Sequence, residues 1–155
     1  MSPPFKGDGP EPRFRPHGSS EFHAEGAIVR ISAEGPFNVE GVDEFSRKML
    51  ALLAEIPAGQ AVVILAEIRG TLISPADAWE VFEAHSRRAQ AGSLRILGSA
   101  WVLAPDVEGR NFFVPKARQI FAQVGRQFEV FEDVEEAKRW AEKLLDTAAL
   151  GDSKL

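Results

Sequence analysis

The chain has no cysteine and no tyrosine, and its three histidines, His17, His23 and His85, are scattered over 155 residues. Without cysteine there is no disulfide, no thiol nucleophile, no thiolate zinc site and no iron–sulfur cluster. Histidines so far apart show no metal-ligand spacing, so no metal or cofactor is expected. Long apolar runs are missing too, and nothing approaches the ~20 residues of a membrane span. Positive charge is in deficit: the net charge is −5, which gives a nucleic-acid partner no electrostatic footing over the whole chain. The first twenty residues lack the apolar stretch of a secretory signal, so a cytoplasmic address is expected.

What is present reads as one soluble domain. The composition is 45% apolar and 26% charged, ordinary for a globular protein. A chain of this length buries roughly 70% of its unfolded surface, enough for a core without staples. Residues 1–20 hold five prolines and three glycines and read as a flexible tail in which Phe5, Arg13, Phe14 and Arg15 are the only docking candidates. The domain is expected over 21–147, with a frayed C-terminus at 148–155.

Two β-like runs flank Glu25-Gly26, consistent with a hairpin. After Gly35-Pro36, Asn38 is a good helix cap, and Val42, Phe45, Met49, Leu52, Leu53 and Ile56 recur at helical spacing. Ala61–Leu65 is apolar throughout, which suits a central strand covered on both faces. Ser74-Pro75-Ala76-Asp77 reads as a helix start: serine at the cap, proline at the first position and an acid in the first turn. A further strand passes through Gly98, a candidate bulge or close approach. In the next helix Pro115 is tolerable only in the first turn, which predicts a start near Phe112 to Val114, and Gly125 fits the position after its end. The run QFEVF is a last strand, and Asp133 caps a final amphipathic helix.

The order β-β-α-β-α-β-α-β-α predicts a single-domain α/β fold: a mixed, mostly parallel sheet of about five strands with an N-terminal hairpin and four helices. On three segments the chain resembles the SpoIIAA-like branch of the STAS domains, also likened to CRAL-TRIO lipid-binding domains. The segments are VRISAEGPFNVEGVDEF, LGSAWVLAPDVEGRNFFVPKARQIF and FEVFEDVEEAKRWAEKLL, the last with anchors at Phe131, Glu136, Ala137 and Trp140. The resemblance spans about Phe22 to Leu145. It implies a compact module without enzymatic chemistry that binds a protein or a ligand. The phosphorylatable antagonists of that family carry Asp-Ser-Ser-Gly after the third strand. Glu67–Trp79 has no such motif, and its only hydroxyls are Thr71 and Ser74, so that switch does not carry over.

Two groups of candidate residues emerge. Loops at the carboxyl ends of parallel strands are where α/β proteins bind ligands, which singles out Glu67, Arg69, Ser74, Asp106 and Arg110 as a ligand or interaction surface. A phosphate on Ser74 would meet the amides of a helix start, the alternative to a plain cap. Glu67 and Asp106 resemble paired carboxylates for acid–base work, but nothing in the sequence fixes their separation and no nucleophile or histidine sits beside them, so no catalytic role is expected. Trp79, Phe82, Phe112 and Phe113 exceed what one inner face needs, and are candidates for core, an apolar pocket or a self-association patch. His85, on the stripe of Ala78, Phe82 and Ala89, reads as a half-buried helix residue. Arg87 and Arg88 complement a helix C-terminus. The expectation is thus a non-enzymatic STAS-like regulatory or protein-interaction module, with an unidentified protein partner or a second copy of itself. The alternative is a binder of a small apolar or lipid-like ligand.

Overall fold

The computed structural model describes residues 14–153. Most of the segment read as a tail, 1–13 with Phe5 and Arg13, lies outside the described residues. Among them the order is β1 (Ser19–Glu25), β2 (Ile28–Glu34), α1 (Val39–Ala54), β3 (Ala61–Arg69), α2 (Ala76–Gln90), β4 (Arg95–Leu103), α3 (Arg110–Gln123), β5 (Gln127–Phe131) and α4 (Val134–Ser153). β1 begins two residues ahead of the boundary read from composition, and α4 runs past 147. The Asn38 side chain holds the entry segment, accepting from His17 N at 2.8 Å and donating to Arg15 O at 2.9 Å. An Arg95–Asp152 ion pair at 3.0 Å holds the end of α4.

The five strands lie in sequence order across one mixed sheet. β1 pairs antiparallel with β2, and β2 through β5 are parallel. Crossovers of one hand that always step the same way place their helices on one face. α1, α2 and α3 therefore share a face, with α1 packed on α2 and α2 on α3, whereas α4 packs against β3, β4 and β5. Strand alternation divides the core accordingly. Val29, Ile31, Val62, Ile64 and Ile68 point to the three-helix side, and Ile28, Val63, Leu65 and Ala100 to the α4 side with Ala137 and Ala141. The register of β3 on β4 shifts between Val62 and Val63, opposite Ile96 and Gly98. This bulge turns Ser99, Trp101 and Leu103 toward the three-helix side. At Gly98 the backbone comes so near α4 that a Cβ would stand 2.9 Å from both Leu144 and Trp140.

Two helix starts differ from the sequence reading. Ser74 does not cap α2. The cap position is Pro75, extended at ψ 157° and without a side-chain cap bond, and the Ser74 hydroxyl instead accepts from Phe37 N at 3.3 Å. A proline cannot donate its own amide, so the helix tolerates it at the boundary while the serine turns to the loop before α1. Second, α3 begins at Arg110 rather than near Phe112, so Pro115 lies inside it. Gly109 closes the first turn by accepting from Phe112 N and Phe113 N. The missing amide at Pro115 is one forfeited bond in a helix otherwise held by Ala117, Ile120 and Phe121 in the core. Asn38 caps α1 as read, accepting from Gly41 N at 2.8 Å.

Candidate functional site

The three-helix face encloses a cavity of about 100 Å³ between the sheet and α1–α2. Its floor is Ile31, Ala33, Ile64, Ala66 and Ile68, and its roof is Val42, Phe45 and Met49 of α1 with Ala78, Trp79 and Phe82 of α2. Small side chains at Ala33, Ala66 and Ala78 leave the space that larger ones would fill. At the carboxyl end of the strands the lining passes through Phe37, Thr71 and Ser74, all partly exposed, and this is the open end.

The opposite end is polar. His85, Ser86, Ser99 and Arg126 line it. His85 Nδ1 and Ser46 Oγ share a hydrogen bond of 2.7 Å across α1 and α2. Burial, aided by the charges of Arg126 and Arg88, pushes the His85 imidazole down to about 4, so it is neutral at neutral pH. Arg126 donates from Nε to Gln90 Oε1 at 2.7 Å and from Nη1 to Ser99 Oγ at 3.0 Å. Its guanidinium lies 5.2 Å from the centre of the Phe121 ring. Only 6% of the residue is exposed, and burial pulls its pKa down to about 10.

Local backbone chemistry puts Arg126 there. Gly125, at φ 77° in the left-handed region, follows Val124, the C-cap residue of α3. Gly125 N donates to Ala122 O and Arg126 N to Phe121 O, the paired bonds of a Schellman motif. In that motif the residue after the glycine usually makes an apolar contact with the residue five back. Here Arg126 takes that place, with its guanidinium rather than an apolar group set over the Phe121 ring.

The loop-edge residues chosen from sequence do not converge. Arg30 Nη2 donates to Glu67 Oε2 at 2.7 Å on the α4 side of the sheet, and Arg30 Nη1 to Glu25 at 2.8 Å. Arg69 donates to Ser32 Oγ at 3.1 Å. Arg110 donates to the carbonyls of Leu103 and Ala104. Asp106 is exposed on the loop after β4. Ser74 alone of the five lines the cavity. Among the four aromatics, Trp79 and Phe82 line it, Phe113 stacks on Trp79 at 5.2 Å and 4°, and Phe112 is 75% exposed. Ser46, Ser99 and Arg126 escaped the sequence reading. The one available signal was Gly125-Arg126, a charge where an apolar contact is usual.

Among the described residues no cluster of three or more histidine or acidic side chains could hold a metal ion, and no helix is long and apolar enough to cross a membrane. Compared with protein-family models, curated proteins and solved structures, the chain matches none.

Proposed function

We propose that this domain is a non-catalytic binding module whose ligand is a small, largely apolar molecule held in the cavity under α1 and α2. The observation that carries the reading is the cavity itself: walled by aliphatic and aromatic side chains, open at the carboxyl edge of a parallel sheet, with a few polar groups gathered at its inner end. Pockets for small molecules have this composition and this place in α/β folds. Its volume is of the order of the engineered ~150 Å³ cavity that takes up benzene. The resemblance to STAS and CRAL-TRIO domains agrees with a module of this kind.

A titration with 1-octanol, a neutral apolar probe, tests the reading. Methyl resonances of Ile64, Ile68 and Leu72 should shift with saturation, while those of Val63 and Leu65, on the far face of the sheet, stay still. An absence of any saturable shift would sink it.

A second reading, a protein-interaction module acting through a partner or a second copy, has its own observation. Ile73 and Phe112 are exposed large apolar residues; Gly109 packs against Ile73 and Phe113, where a Cβ would meet their side chains at 2.8 and 3.1 Å, and the Phe112 ring lies 5.1 Å from that of Phe113. Phe112→Ser should then lower any self-association seen by analytical ultracentrifugation, and a sedimentation profile identical to that of the unmodified protein, monomeric in both, would remove the second-copy version.

A further inference from the structure

The inner end of the cavity holds a charge with nothing to balance it. Arg126 and His85 are the only residues with ionisable groups of ordinary range in the lining, which contains no aspartate, glutamate or lysine. Arg126 takes part in none of the ion pairs among the described residues. Its two hydrogen-bond partners, Gln90 and Ser99, are neutral, and its Nη2, fully buried, has no partner among the described residues. An unpaired buried cation costs a protein several kcal/mol unless a counter-charge is supplied. A guanidinium with a free edge is shaped to receive a planar anion through charge-assisted hydrogen bonds.

The other orphaned polar atom on the cavity wall is Trp79 Nε1, on α2 roughly two turns before His85. Both orphans are donors, so what they lack is an acceptor. From the level of Ser99, which pairs with Ile64, to that of Ile68 the floor runs four residues along β3, about 13 Å of strand. The lining between is apolar. A single cation matches a singly charged head, whereas a phosphate would bring further negative charge with no second cation to meet it.

We infer that the ligand is an amphipathic monocarboxylate, its head held by Arg126 beside Ser99 and its apolar body lying along Ala66 and Phe82 toward the open end. This rests on the binding-module reading above and adds the head group to it.

The test compares octanoate with 1-octanol at neutral pH, in the unmodified protein and in Arg126→Gln, by isothermal titration calorimetry. Octanoate should bind at least about tenfold more tightly than octanol, the size of one charge-assisted hydrogen bond. Arg126→Gln should erase that preference, bringing octanoate affinity down to that of octanol in the same variant. Equal affinities in the unmodified protein would overturn the carboxylate assignment and leave the apolar cavity standing. Binding of neither probe would overturn both. Octylamine binding as tightly as octanoate would also overturn it, since a cation should be repelled. Because the octanoate–octanol comparison is made in the unmodified protein, it decides the matter even if the variant fails to fold.

Discussion

Ser46 Oγ and His85 Nδ1 lie 2.7 Å apart, joining α1 to α2 at the buried end of the cavity. The bond fixes the imidazole beside a guanidinium without an ionic partner, and two adjacent cations in that space would be costly. Burial, with Arg126 and Arg88 nearby, holds the imidazole at about 4 against an ordinary 6.5. The polar end of the cavity thus carries one fixed charge at neutral pH.

That depression makes stability depend on acid. Between the folded value near 4 and the unfolded value near 6.5, the unfolded chain binds more protons than the folded one. Stability is therefore complete above the unfolded value and falls as pH drops through that window. The loss is on the order of 3 kcal/mol, which lowers the melting temperature by roughly 6–12 °C for a domain of this size. His85→Gln should flatten this part of the profile. Thermal melts of both proteins across the window measure it, and parallel curves would refute the assignment.

Ser74→Ala tests the relocated role of that hydroxyl. The lost hydrogen bond to Phe37 N should cost about 1 kcal/mol in urea unfolding. A cap would give a similar figure, so hydrogen exchange separates them. The Phe37 amide should lose protection while the first-turn amides of α2 keep theirs. The reverse pattern would restore the cap.

How far the sequence carried can be traced through these residues. Apolar periodicity and glycine–proline punctuation located every described strand and helix, because those signals are local and each element needs an apolar face to be buried. Asn38 caps α1 as its residue type predicts, because its Oδ1 accepts from Gly41 N and His17 N together and the entry segment does not displace the cap. Ser74 obeyed the same rule and failed it, because the cap position fell on Pro75 and Phe37, 37 residues away, claimed the hydroxyl. The cavity was half legible: Trp79 and Phe82 stood out as surplus aromatics, but the space beside them depends on Ala33, Ala66 and Ala78 facing one another across three elements. Arg126 was invisible for the same reason. An arginine before a strand is ordinarily solvated, and only tertiary packing against Gln90, Ser99 and Phe121 reverses that.

Gly98→Ala probes the opposite face of the sheet. The added Cβ would meet Leu144 Cδ1 and Trp140 Cη2 at 2.9 Å and Gln127 O at 3.2 Å. Overpacking of this kind costs about 1–3 kcal/mol, and Leu144→Ala in the same chain should return part of it. Octanol affinity should be unchanged, since α4 and the cavity are separated by the sheet. Calorimetry and denaturant titration together check both halves. A loss of octanol affinity in the folded variant would mean that the two faces are coupled.

Arg126→Met separates stability from binding. Retaining the arginine in the unliganded core has a desolvation cost, visible in its pKa of about 10, and an apolar side chain of similar length removes it. Replacing buried charges with well-packed apolar groups is often neutral or stabilising by about 1–4 kcal/mol. Against that, Gln90 Oε1 and Ser99 Oγ lose a donor, worth about 1–3 kcal/mol if left unsatisfied. The two effects nearly cancel, so the expected change in unfolding free energy lies within about 1 kcal/mol of zero. A residue whose work is structural should behave differently, since its removal would leave the acceptors on Gln90 and Ser99 unsatisfied with no desolvation cost returned, about 1–3 kcal/mol each. Denaturant unfolding distinguishes these outcomes directly. A stable Arg126→Met protein that no longer prefers octanoate would identify the arginine as a group kept for its ligand, whereas a strongly destabilised one would assign it to the fold.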